Sequence, residues 1–112
     1  MPKKEAEFFD ADLIRWVDVP GTPGQTEKIL SKDPKTGSYT RMLHFSPGCR
    51  TTMTLTHDFW EEVYIINGTL EDLGKKQIFR EGMYACRPPG MVHGPYYSKD
   101  GCTTIEMRYF EG

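Results

Sequence analysis

Glycine and proline interrupt this chain so often that no long helix can form. Breaks fall at Pro20-Gly21-Thr22-Pro23-Gly24, Asp33-Pro34-Lys35-Thr36-Gly37, Ser46-Pro47-Gly48, Asn67-Gly68, Arg80-Glu81-Gly82, Pro88-Pro89-Gly90 and Lys99-Asp100-Gly101. Each carries turn chemistry: proline presets φ and removes a donor, and glycine tolerates positive φ. Between the breaks lie short segments rich in aromatic and β-branched residues, at 38–45, 50–57, 62–66, 77–79, 83–87 and 103–110. Short strands at this spacing predict an all-β sandwich or barrel. Only 10–16 has any helical pattern, so a short helical or irregular N-terminal segment is expected. At 112 residues the chain reads as one domain over 1–112, large enough to bury a core without disulfides.

Alternation assigns faces. Thr51, Met53, Leu55 and His57 share one side of their segment and Thr52, Thr54 and Thr56 the other; the side carrying Met and Leu is expected inside, taking His57 with it. On the last segment Ile105, Met107 and Tyr109 alternate with Thr104, Glu106, Arg108 and Phe110, and either set can face inward. Glu61 and Glu62 are consecutive, so on a strand they point to opposite faces and one is expected inside.

Two strand-plus-turn segments each deliver a histidine, His57 and His93, and the first also delivers a carboxylate. Imidazole with carboxylate suits a borderline divalent metal. Other classes fit poorly. The net charge of −2 and the mixed signs along the chain provide no basic patch for nucleic acid. No apolar run is long enough to cross a bilayer. The charged start, 1–7, precedes too few apolar residues for a secretory segment, so a cytoplasmic location is expected. Cys49, Cys86 and Cys102 lack a C-x-x-C spacing and read as reduced thiols. No serine or cysteine nucleophile and no nucleotide loop is recognisable, which leaves the metal as the seat of any chemistry.

The spacing Gly82-x5-Pro88-x-Gly90-x2-His93 matches the second motif of the cupin superfamily up to its histidine. His57-x3-Glu61-x6-Gly68 matches the latter part of the first motif. The chain thus resembles a small single-domain, RmlC-like cupin, similar to anti-sigma-factor sensor cupins and diketone-cleaving dioxygenases, with metal motifs over 48–68 and 82–97. The resemblance implies a double-stranded β-helix, or jelly-roll barrel, with His57, Glu61 and His93 as metal ligands. Two positions depart from the pattern: Leu55 stands where the first motif has another histidine, and Tyr97 where an asparagine often follows the second.

The remaining set resembles the facial triad of non-heme Fe(II), which is the favoured metal; manganese, nickel, zinc and cobalt also suit such ligands. His44 is a candidate replacement ligand, although a place beside the ligands or on the surface is favoured. Glu62, Tyr64, Arg87 and Glu106 are candidate catalytic residues. Arg87 has the fork to take a carboxylate, and Glu62, Glu106 or a tyrosine could carry a proton. Tyr96, Tyr97 and Arg108 are further candidates for holding substrate, and Phe59 and Trp60 for a pocket wall or an interface.

The expected function is a metal-dependent, dioxygenase-like enzyme acting on a small oxygenated metabolite. The alternatives are a metal-dependent isomerase or lyase, a cupin that senses ligand or metal without turnover, and a cupin whose metal site has decayed. A homodimer is expected, with Phe8-Phe9 and Leu13-Ile14 as a candidate interface, because open sheet edges invite pairing.

Overall fold

The computed structural model describes residues 3–110. Among these described residues a single 3-10 turn, Ala11–Leu13, precedes nine strands: β1 Val17–Asp18, β2 Gln25–Lys32, β3 Tyr39–Phe45, β4 Cys49–Arg50, β5 Trp60–Asp72, β6 Gln77–Arg80, β7 Tyr84–Arg87, β8 Tyr96–Ser98 and β9 Cys102–Tyr109. They pair antiparallel in the order β1-β2-β3-β9-β5-β8-β4, with β6 and β7 also paired to β5. The result is the expected all-β jelly-roll barrel, curled around one interior.

β5 organises the barrel because it serves two sets of neighbours. Residues 60–68 pair with β9 and 61–64 with β7, whereas 69–72 pair with β6 and 71–72 with β8. The change of partner follows a bulge: Ile65 faces Thr104 but Asn67 faces Thr103, leaving Ile66 as the extra residue. A bulge bends its strand and strengthens the twist. It also flips the inward parity, from Glu61, Val63 and Ile65 before it to Leu70 and Asp72 after it. Gly68, at φ +84°, sits in this bend, and a Cβ there would lie 2.0 Å from the Gly101 carbonyl oxygen. Only glycine fits.

Leu43, Phe45, Ile65, Leu70, Tyr96, Cys49 and Cys102 form the buried core, with Val19 and Phe79 packed against it. Burying each large apolar side chain there is worth roughly 1.5–3 kcal/mol. Outside, Lys28 Nζ donates to the Ala11 carbonyl at 3.1 Å and lies 4.5 Å from the Trp16 ring centroid, which pins the N-terminal segment across β2. Among the described residues no helix is long and apolar enough to cross a membrane.

Two sequence expectations need correction. The segment 50–57 is not a strand: β4 ends at Arg50, and beyond it only Leu55 forms a bridge, to His93. Held to 93–96 only at Thr51 and Leu55, the segment has no continuous ladder to phase it. Met53 is 70% and Leu55 38% exposed, although both were expected inside. Conversely, β2 was not foreseen. Its own residues, Gln25–Lys32, carry little strand signal, and it is held by seven paired positions on β3.

Candidate metal centre

Strand register builds the centre. Glu61 on β5 faces Arg87 of β7 on one side and Arg108 of β9 on the other. Opposed residues on neighbouring strands lie close enough for side chains to meet. Arg87 donates to Glu61 Oε1 at 2.8 Å and Arg108 Nε to Oε2 at 2.7 Å. One step along the barrel, Val63 faces Glu106, which faces Arg41. Arg41 holds Glu106 at 2.8 Å and Glu27 at 2.7 Å. Burial by itself would raise the Glu61 carboxyl, but Arg108 and Arg87 outweigh it and hold the group below its ordinary value. For Glu106 burial wins, aided by the negative Glu61 and opposed by Arg41, and its carboxyl is pushed up.

The two histidines reach the same place from loops. His57 follows the irregular segment, stacks on Phe59 with centroids 4.5 Å apart, and its carbonyl accepts from Gly90 N–H. His93 is fixed from three directions. Its backbone exchanges hydrogen bonds with Leu55, its Nδ1 lies 2.6 Å from the Tyr96 hydroxyl, and the adjacent Gly94 N–H donates to Asp72 Oδ2 at 3.0 Å. Leu55 therefore clamps the histidine loop through its backbone, at the position where another cupin histidine would stand. Desolvation, with Arg87 nearby, lowers His93 to about 4, and desolvation also lowers His57. Both imidazoles are neutral at neutral pH, the form that binds a metal.

His57 Nε2 and His93 Nε2 are buried with no hydrogen-bond partner. A ligand atom from each, and one from Glu61, lie within 4.8 Å of one another. Buried polar atoms normally have partners, so two convergent orphans beside a carboxylate make a donor set suited to a divalent transition metal. The arginines do not spoil the fit, because each carboxylate oxygen has a second lone pair. Tyr96 and Asp72 hold the histidine loop as outer partners of metal ligands commonly do.

The other candidates separate by face. Arg87, Arg108, Glu106 and Tyr96 point inward. Glu62 and Tyr64 do not: they lie on the outer face, where Tyr84 donates to Glu62, because consecutive residues of β5 alternate sides and Glu61 is inside. Their expected place at the centre is thereby corrected. His44 is also outside, 2.9 Å from Thr103 Oγ1 and against Trp16, so it does not replace the missing histidine. Tyr97 lies under the Arg50 guanidinium. Asp72, Arg41 and Tyr39 went unnoticed in the sequence. Alternation with Leu43 and Phe45 on β3 could have revealed Arg41 and Tyr39, but nothing local marks Asp72, which turns inward only because of the bulge.

A cavity of about 160 Å³ opens against the centre. His93, Arg87, Asp72, Lys75 and Gln77 are among its polar lining, and Val63, Ile65, Leu70, Phe79 and Met83 among its apolar lining.

A curled antiparallel barrel with such a cluster inside defines the cupin class. The model of the ChrR cupin-like domain matches residues 4–108, and the chain belongs to that family. Similar solved structures include an RmlC-like cupin from Shewanella frigidimarina (18% identity, 96% of this chain and 93% of that one, TM-score 0.75). An acetylacetone dioxygenase from Acinetobacter johnsonii matches at 18% identity over 97% of this chain and 78% of its own, with TM-score 0.74. The Rhodobacter sphaeroides complex of SigE with the anti-sigma ChrR matches at 16% identity, 89% and 52% coverage and TM-score 0.67. At such identities the likeness is one of fold. No curated protein matches in sequence.

Proposed function

We propose that this protein is a metal-dependent enzyme of dioxygenase type acting on a small oxygenated metabolite, with His57, Glu61 and His93 as ligands and Fe(II) as the favoured metal. The observation that carries the reading is that the two histidines with buried, unpartnered Nε2 atoms each bring a ligand atom within 4.8 Å of the other and of one from Glu61. When bound, such an ion supplies Lewis acidity and, if iron, one-electron chemistry with dioxygen. The chain's own part is positioning. Tyr96 and the Leu55 bridge orient His93, and Arg108 and Arg87 hold Glu61 in its ionised form. The apolar cavity wall excludes water from one side of the centre, and Glu106, raised by burial, is the interior carboxyl suited to hold a proton.

Elemental analysis of protein purified without added metal tests the reading, together with oxygen uptake over a panel of diketones and oxo acids. A single bound transition ion per chain is expected, lost in the His57→Gln/His93→Gln double variant along with oxygen uptake. Metal content indifferent to that double change would overturn it. Bound metal without turnover of any panel member would favour the sensing alternative, which gains some support from the occupation of both Glu61 oxygens by arginine.

The same reading includes a homodimer. Its support is the exposed apolar surface of Tyr64, Ile66 and Tyr84 on the outer face and of Phe8 and Leu13 in the N-terminal segment. Light scattering that returned a monomer mass would remove it.

A further inference from the structure

The interior around the centre carries no excess negative charge before any ion enters. Three guanidiniums (Arg41, Arg87, Arg108) meet three carboxyl groups (Glu27, Glu61, Glu106) in direct pairs, and burial pushes Glu106 toward its neutral form. Asp72, the remaining carboxylate at the cavity, accepts from Gly94 and Lys75 N–H groups and is offset by the Lys75 charge at the rim. A divalent ion held by two neutral imidazoles and Glu61 therefore adds positive charge that no further side chain among these groups compensates. Uncompensated charge in a desolvated interior is costly. The missing negative charge has to arrive with a ligand.

Arg87 marks where it would sit. It lines the cavity next to His93, with one donor used on Glu61 Oε1 and one on the Tyr96 hydroxyl at 2.9 Å. A guanidinium has further N–H donors in the same plane. Beyond Arg87 the cavity wall includes Val63, Ile65, Leu70, Phe79 and Met83, a surface for a short hydrocarbon chain, with Lys75 and Gln77 also on its lining.

We propose that the substrate is a short-chain 2-oxo or 2-hydroxy carboxylate, its acid group taken by Arg87, its 2-oxygen turned toward the convergent histidine nitrogens and its alkyl chain in the apolar cavity. The inference rests on the metal reading above and adds the charge and shape of what binds there. A neutral diketone would present the same pair of oxygens but offset none of the added charge, where the acid offsets half of it, and would leave the Arg87 donors unused.

The test is calorimetric titration of the full chain loaded with Zn(II), which binds without redox turnover. The probes are 2-oxopentanoate and its neutral analogue hexane-2,3-dione. The acid should bind at least ten-fold more tightly than the dione. Arg87→Gln should erase most of that preference in the zinc-loaded protein, the acid losing far more affinity than the dione. Arg87→Lys, which keeps a cation opposite Glu61 and so protects the fold, should lose several-fold in acid affinity by losing the planar fork. Equal or tighter binding of the dione by the wild type would overturn the proposal while the metal centre stood. An Arg87→Lys change that weakened both probes equally would do the same. Failure to take up zinc at all would overturn the metal reading and this inference with it.

Discussion

The barrel interior has two ends built from the same strands. At one end β3, β5 and β9 contribute Leu43 and Phe45, Ile65, and Cys102; at the other they contribute Arg41, Glu61, and Glu106 with Arg108. The apolar end is a packed core of ordinary kind. The charged end removes guanidiniums and carboxylates from water, where even well-paired ions add little net stability over apolar substitutes. Stability therefore belongs mainly to the first end. The second keeps its charges for the histidines and the cavity they adjoin, which is where function is read.

The sharpest break of this comparison is in the core. Phe45→Ala should cost about 3–5 kcal/mol in denaturant unfolding while zinc uptake by the folded fraction stays unchanged; loss of metal affinity in proportion to stability would mean the two ends are not separable. Glu61→Ala should come next, at about 3 kcal/mol, because Arg87 and Arg108 lose their shared carboxylate. Unlike the core change, it should also lower metal uptake by the folded protein.

The pH dependence of the metal-free protein is smaller. His93 sits near 4 when folded, below its ordinary 6.5, so the unfolded chain binds the proton first. The stability linked to its neutral form is complete above pH 6.5 and is lost as the pH falls toward 4. The loss is seen in unfolding midpoints across that window, and His93→Gln should flatten it. The smallest effect belongs to Glu62→Gln on the outer face. Metal content and acid affinity should not move, and a drop in either would return Glu62 to the centre from which strand alternation excludes it.

Much of this was legible beforehand. The Gly-Pro rhythm set the strand class, and the motif spacings singled out His57, Glu61 and His93, which the fold brings together. Alternation put Glu61 and Glu62 on opposite faces, and the spacing to Gly68 selected Glu61. Legibility failed where a neighbour decides. Met53 and Leu55 read as interior because apolar residues alternate there, yet without a pairing strand that pattern has no sheet to face. Tyr64 was grouped with the site by nearness in sequence, and a period of two puts it outside.

The chain by itself determined where it turns, which segments extend and which residue types stand two apart, since all of these follow from local backbone chemistry. Tertiary structure alone decided that Thr104, Glu106 and Arg108, and not Ile105 and Met107, face inward. It also placed Asp72 under the His93 loop and closed Arg87, Glu61 and Arg108 into one row. Alternation is written locally, but its phase is set by pairing and by the single extra residue at Ile66, and both depend on strands distant in sequence.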